Sequence, residues 1–251
     1  MELLSWSVYA VAVPAVVFAG VSKAGFGSGA AFASATILAL VLDPGAALGI
    51  MLPLLMLIDA VSLPAYWKRW NWRDARLLIV SGLPGVALGA VFYDWADPDA
   101  IRFIIGFVAL AFVAWQAALR AGWIRLGQEP MGPIAGSTAG VALGFTSFVS
   151  HAGGPAAAVY LLGRKLDKTT FQATTVLVFW AINLSKSGLY AGMGIFTRET
   201  LLLCLALAPF AVLGTWIGVR AHRAISDRVF FGLTYVLLTV TGARLVWVAL
   251  T

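Results

Sequence analysis

Gly20-Val21-Ser22-Lys23-Ala24-Gly25-Phe26-Gly27-Ser28-Gly29 breaks an apolar run that begins near residue 5 and resumes to Leu42. A cation beside a glycine-rich break at membrane depth is costly unless it faces protein, water or a ligand. The chain does the same again at Gly144-Phe145-Thr146-Ser147-Phe148-Val149-Ser150-His151-Ala152-Gly153-Gly154-Pro155. Broken, polar, glycine-bearing segments at corresponding places in two halves are a sequence pointer to a site at the bilayer midplane.

Composition sets the class. Of 251 residues, 61% are hydrophobic and 11% charged, and the mean hydropathy is +0.92. Apolar runs of near membrane-spanning length recur throughout, without the strand alternation of a barrel, so an all-α integral membrane protein is expected. The formal charge of +6 does not point to nucleic acid, because the Lys and Arg residues gather in short loops, where they set topology. Cys204, the single cysteine, lies in an apolar run and offers neither a disulfide nor a metal cluster. No cofactor and no metal are expected.

Sliding the chain by 124 residues aligns Gly20 with Gly144, Gly29 with Gly153, Asp43 with Asp167 and Tyr66 with Tyr190. With one residue of slip, Pro84 and Gly89 fall on Pro209 and Gly214; with one more, Arg102 and Gly106 fall on Arg228 and Gly232. The expected organisation is therefore a first membrane repeat over 1–120, a cytoplasmic linker over 121–131, and a second repeat over 132–251. Loops 68–76, 120–129, 164–168 and 220–228 are basic, whereas the turns near 43, 97 and 195 are not. The positive-inside rule places the first set in the cytoplasm and both termini outside, so the repeats are inverted. Inversion needs an odd number of segments per half, and about five fit. Residues 28–42 span only about 22 Å as a helix, less than the roughly 30 Å hydrocarbon core. Each break is therefore expected at the tip or bend of a hairpin that enters and leaves on one side.

Lys23 would bind an anionic group, with Gly25, Gly27 and Gly29 forming a turn whose N–H groups add an anion site. His151, before Gly153 and Gly154, could donate to a ligand or carry a proton. Ser22, Ser28, Ser147 and Ser150 could orient oxyanion oxygens, although such residues also let membrane helices approach closely. Lys186 lies mid-span, one turn from Asn183 on the same face. The repeat places Asn183 opposite Asp59, which is read as a structural counter-ion to Lys23 or Lys186 in preference to a proton or sodium coupling site.

The chain resembles the TauE/SafE (sulfite exporter) family of bacterial membrane proteins over nearly its whole length. The resemblance rests on its size, its two halves, and the motifs Gly20–Gly29 and Gly140–Ser147 leading to Gly153-Gly154-Pro155. The pattern Pro84-Gly85 and Leu88-Gly89, echoed at Pro209 and Leu213-Gly214, belongs with them. The resemblance implies export of sulfite or a small organosulfonate across the bacterial inner membrane. His151 and the Gly29-Ala30-Ala31 sequence depart from the more glycine-rich breaks of the family.

The expected function is a secondary carrier working by alternating access, its partners being a small sulfur oxyanion and the lipid bilayer, with coupling to a proton or sodium ion and a homodimer both compatible with the chain. A passive anion channel is the nearest rival. An intramembrane hydrolase using Ser147 and His151, four residues apart, is the rival from another class. It has no evident use for an inverted repeat.

Overall fold

A computed structural model describes residues 5–26, 31–124, 130–221 and 227–251, with backbone only at 221, 227–231, 233 and 234. Within them lie helices α1 (Trp6–Gly25), α2 (Ala33–Leu38), α3 (Pro44–Ser62, extended by a 3-10 turn Leu63–Tyr66), α4 (Trp72–Trp95) and α5 (Pro98–Arg120). They are followed by α6 (Pro133–Ser150), α7 (Gly153–Gly163), α8 (Lys168–Gly192), α9 (Arg198–Ala221) and α10 (Asp227–Leu250). No strand occurs among the described residues. Helix starts follow local chemistry. Asp43, Asn71, Asp97 and Asp167 each accept a backbone N–H of the following first turn, and Pro44, Pro98 and Pro133 occupy positions whose missing N–H costs nothing.

Among the described residues, five helices are long and apolar enough to cross a membrane: Trp6–Gly25, Pro44–Tyr66, Trp72–Trp95, Pro98–Arg120 and Arg198–Arg220. Helix α8 has the length, at 25 residues, but buries Gln172, Asn183 and Lys186, polar side chains that lower its hydropathy while facing protein.

Helices α6 and α7 form a hairpin. Met131 N–H donates to the Gly163 carbonyl, and Gly136 near the start of α6 abuts the Tyr160 ring near the end of α7. With 11 residues, α7 is only about 17 Å long, so the chain returns to the side from which α6 entered. In the first half, α1 and α3 run in the same direction, and residues 31–43, including α2, lie between them in the chain. This direction follows because α1 runs parallel to α9 (Gly20 against Gly214, Gly25 against Gly218), and Cys204 early in α9 meets Gly49 and Ile50 early in α3.

Pairings between the halves are reciprocal. Helix α1 packs on α9 and α6 on α4; α3 packs on α9 and α8 on α4. Corresponding helices meet each other antiparallel. Asp59 contacts Asn183 while Tyr66 packs beside Ala173 and Val176, which sets the direction of α3 against α8. Gly106 meets Val246 while Gly242 meets Ala109 and Leu110, which sets α5 against α10. At the α4–α6 crossing a Cβ on Gly85 would lie 2.1 Å from the Val141 carbonyl oxygen, and one on Gly144 would lie 2.0 Å from that of Gly82. Only glycine lets these backbones approach so closely.

The breaks are narrower than the sequence indicates. Helix α1 continues through Ser22 and Lys23 to Gly25, and α6 through Ser147 to Ser150. Ser22, Lys23, Ser147 and Ser150 are thus last-turn helical residues, held there by packing on α9 and α4. Helix α4 starts at Trp72, inside the basic stretch 68–76 that the sequence reads as a loop, because Asn71 caps it.

Candidate functional site

The ends of α1 and α6 converge on the middle of α3 and α8. Lys23 Nζ forms an ion pair with Asp59 Oδ1, and Asp59 Oδ2 accepts a hydrogen bond from Asn183 Nδ2 at 3.0 Å. The Lys23 backbone carbonyl is capped by Gln172 Nε2 at 2.6 Å, and the Lys23 ammonium lies 5.6 Å from the centroid of Phe179. Asp59 is completely buried and Lys23 is 2% exposed.

Lys186, also fully buried, lies against the tip of α6. Its ammonium donates to the Ser147 carbonyl at 2.7 Å and to Ser147 Oγ at 3.0 Å, and it meets His151 Nδ1 at 3.0 Å. The other imidazole nitrogen, Nε2, lies 3.1 Å from the Leu48 carbonyl. A carbonyl only accepts, so Nε2 carries the hydrogen, and the neutral ring offers Nδ1 as acceptor to Lys186. All three ammonium hydrogens are thus taken by neutral acceptors. Among the described residues no carboxylate pairs with Lys186. His151 ends α6 at φ +54°, a left-handed conformation in which a non-glycine residue is strained.

Of the expected site residues, Lys23, Asp59, Asn183, Ser147, His151 and Lys186 come together. Ser22, next to Lys23 in sequence, is fully buried, and its hydroxyl has no hydrogen-bond partner among the described residues. Ser150 instead turns its hydroxyl onto the Thr146 carbonyl at 2.8 Å. Gly25 belongs to the last turn of α1 and packs on Gly218, where a Cβ would lie 2.6 Å from the carbonyl oxygen, so it serves a helix crossing. Gly153 and Gly154 start α7 and are buried; Gly153 fits against the Leu143 carbonyl and Phe179. Gly27, Ser28 and Gly29 lie outside the described residues.

Three participants were not foreseen in the sequence. Gln172 is one. The others are Tyr66 and Tyr190, whose hydroxyls donate to the Ala24 and Phe148 carbonyls, each at 2.6 Å. These two bonds are related by the 124-residue offset at both ends, and the alignment of the two tyrosines was the available signal. The Ser147–His151 dyad required of a hydrolase is not formed, because both imidazole nitrogens are engaged elsewhere.

The profile of the sulfite exporter TauE/SafE family matches residues 12–245. The chain belongs to that family. The match takes in both hairpins, all the buried charges and nine-tenths of the sequence, so membership applies to the whole membrane bundle and to the cluster within it. No curated protein and no solved structure gives a significant match to the chain. As a TauE/SafE member with apolar helices of membrane-spanning length, it is a multi-pass membrane protein of a sulfur-anion export family.

Proposed function

We propose that the protein is a secondary carrier that exports a small sulfur oxyanion, sulfite or an organosulfonate, across the bacterial inner membrane. The observation that carries the reading is Lys186. Its hydrogen-bond partners are all neutral and no carboxylate contacts it among the described residues, so an anionic substrate would supply a direct counter-charge. Ser147 Oγ and the unpartnered Ser22 hydroxyl add donors that suit oxyanion oxygens. In this role Asp59 is the counter-ion that keeps Lys23 neutralised between transport events, with Asn183 orienting its second oxygen.

Alternating access between inverted repeats accounts for the rest. The reciprocal helix pairings and the antiparallel contacts of α3 with α8 and α5 with α10 support two inverted halves, residues 1–120 and 132–251, with both termini outside. Two hairpins that meet buried charges, and a cluster shut from solvent on both sides, favour a gated carrier over a continuously open channel. The two tyrosine–carbonyl bonds are equivalent latches on the two hairpins, and opening one side requires release of one of them.

Thermal stabilisation of the detergent-purified protein tests the site. Sulfite, sulfate, thiosulfate, sulfonates and carboxylates are compared on wild type, Lys186→Met and Lys23→Ala. A ligand that binds the native state raises the melting temperature by mass action. Stabilisation by a sulfur oxyanion that disappears in Lys186→Met is the expected result. A shift of the same size in that variant would remove Lys186 from the site, and no shift with any anion would remove the anion reading.

A further inference from the structure

Two open cavities sit at opposite ends of the antiparallel α3–α8 pair. The first, of 600 Å³, is lined by Ala65, Tyr66, Arg69, Lys168, Thr169 and Arg220, among others. The second, of 530 Å³, is lined by Asp43, Gly45, Tyr93, Ile195, Glu199 and Thr200, among others. They are equivalent places in the two halves: the 124-residue offset carries Gly45 to Thr169 and Arg69 to Met193, both cavity residues. Their charges are opposite. Among the described residues, the first is lined by three cations and no carboxylate, the second by two carboxylates and no cation. Asp167, beside the basic cavity in sequence, is committed to the Thr169 and Thr170 amides at the start of α8, and those hydrogen bonds, the Thr170 side chain first, hold its carboxyl below the ordinary range.

Both cavities stop one residue from the buried cluster. Tyr66 floors the basic one, and its hydroxyl binds the Ala24 carbonyl next to Lys23. At the acidic one, the Tyr93 ring packs at 6.2 Å on Phe148, next to Ser147. Arg220 is held at the basic mouth by stacking over Trp216 at 3.5 Å.

We propose that the basic cavity is an anion-loading vestibule, with Arg69, Lys168 and Arg220 as its specificity-determining residues, and that the acidic cavity is the low-affinity face from which the same anion leaves. This inference rests on the carrier reading and adds a sidedness to it. Cations around a concave mouth with low-dielectric walls raise the local concentration of anions, and carboxylates in the equivalent place lower it. Pseudo-equivalent halves then bind one substrate with unequal apparent affinity from the two sides. The basic mouth coincides with the loops the positive-inside rule assigns to the cytoplasm, so loading from the cytoplasm follows.

Cationic loop residues that only set topology would give the same sequence pattern, and the test separates the two. Labelled sulfite exchange is measured in right-side-out and everted vesicles for wild type, Arg69→Gln/Arg220→Gln and Glu199→Gln. In everted vesicles the double variant is expected to raise half-saturation by about 3- to 10-fold with the maximal rate kept, and to weaken its dependence on ionic strength. Right-side-out values stay unchanged. Glu199→Gln is expected to lower half-saturation about twofold on the other side only. If the double variant moves both sides equally, or neither, while wild type still exchanges sulfite, the vestibule proposal is overturned and the carrier reading stands. If wild type exchanges no labelled sulfur oxyanion from either side, the carrier reading falls and the vestibule with it.

Discussion

A buried lysine lies at the end of α1 and another against the end of α6, and the two are treated differently. Lys23, on α1, has a carboxylate, Asp59, whose second oxygen is held by Asn183. Lys186, on α8, reaches the α6 tip and finds a carbonyl, a hydroxyl and a neutral imidazole. The first is a closed ion pair. The second has no carboxylate in hydrogen-bond contact among the described residues. Sequence equivalence makes the contrast sharper, because Asp59 and Asn183 occupy the same place in the two halves, and so do Lys23 and Ser147. The first half carries the pair Lys23–Asp59 where the second carries Ser147 and Asn183. Lys186 enters from the position equivalent to Ser62, so each half supplies one cation and only the first supplies an acid.

Breaking the closed pair should have the largest effect. Asp59→Ala leaves the Lys23 ammonium buried and uncompensated, and is expected to cost roughly 3–5 kcal/mol, read as a lowered melting temperature in detergent. The double variant Lys23→Met/Asp59→Leu should recover most of that loss. If the single and double variants melt alike, the pair is not the closed unit described here.

Lys186→Met comes next, and its signature is the reverse. Hydrogen bonds to charged groups are worth roughly 1.5–3 kcal/mol each, so losing one to a bound anion should weaken binding about 10- to 100-fold. The melting temperature of the ligand-free protein should change little. A large loss of stability without loss of anion binding would make Lys186 structural and erase the contrast with Lys23.

The latches should come third. Tyr190→Phe and Tyr66→Phe each remove a hydroxyl from a buried carbonyl, at an expected cost of about 1 kcal/mol or slightly more. Because the hydroxyls belong to opposite sides of the cluster, the two variants should shift accessibility of the site in opposite directions, measured by labelling introduced cysteines with a membrane-impermeant thiol reagent. Shifts in the same direction would break the equivalence of the hairpins. The smallest effect is expected at the surface, where Arg102 pairs with the 59%-exposed Asp99 side chain at 2.6 Å. Arg102→Gln should change stability by no more than about 1 kcal/mol.

Much of this arrangement was legible in the chain itself. Hydropathy gave an all-helical membrane protein, since only helices satisfy their own backbone in lipid without an alternating strand pattern. The glycine-bearing breaks fall at the ends of α1 and α6. Lys23, Asp59, Asn183, Ser147, His151 and Lys186 were identifiable because a polar side chain inside an apolar run has to be explained by a protein partner or a ligand. What one sequence could not supply was pairing. Asp59 was within notional reach of either lysine, and the preference for Lys23 comes from the packing of α1 along α3 in the same direction. Nor could glycine counting separate roles: Gly25 looked like part of an anion-binding turn, and the α1–α9 crossing uses it as a gap for Gly218. Helix limits likewise moved by up to a turn at breaks, because the last turns of α1 and α6 are held by neighbours remote in sequence. The sequence by itself determined which residues would be too polar to face lipid. Tertiary structure alone decided which of them pair with one another and which meet only neutral partners, because Coulomb energy and hydrogen bonding depend on distances that only the packed helices set.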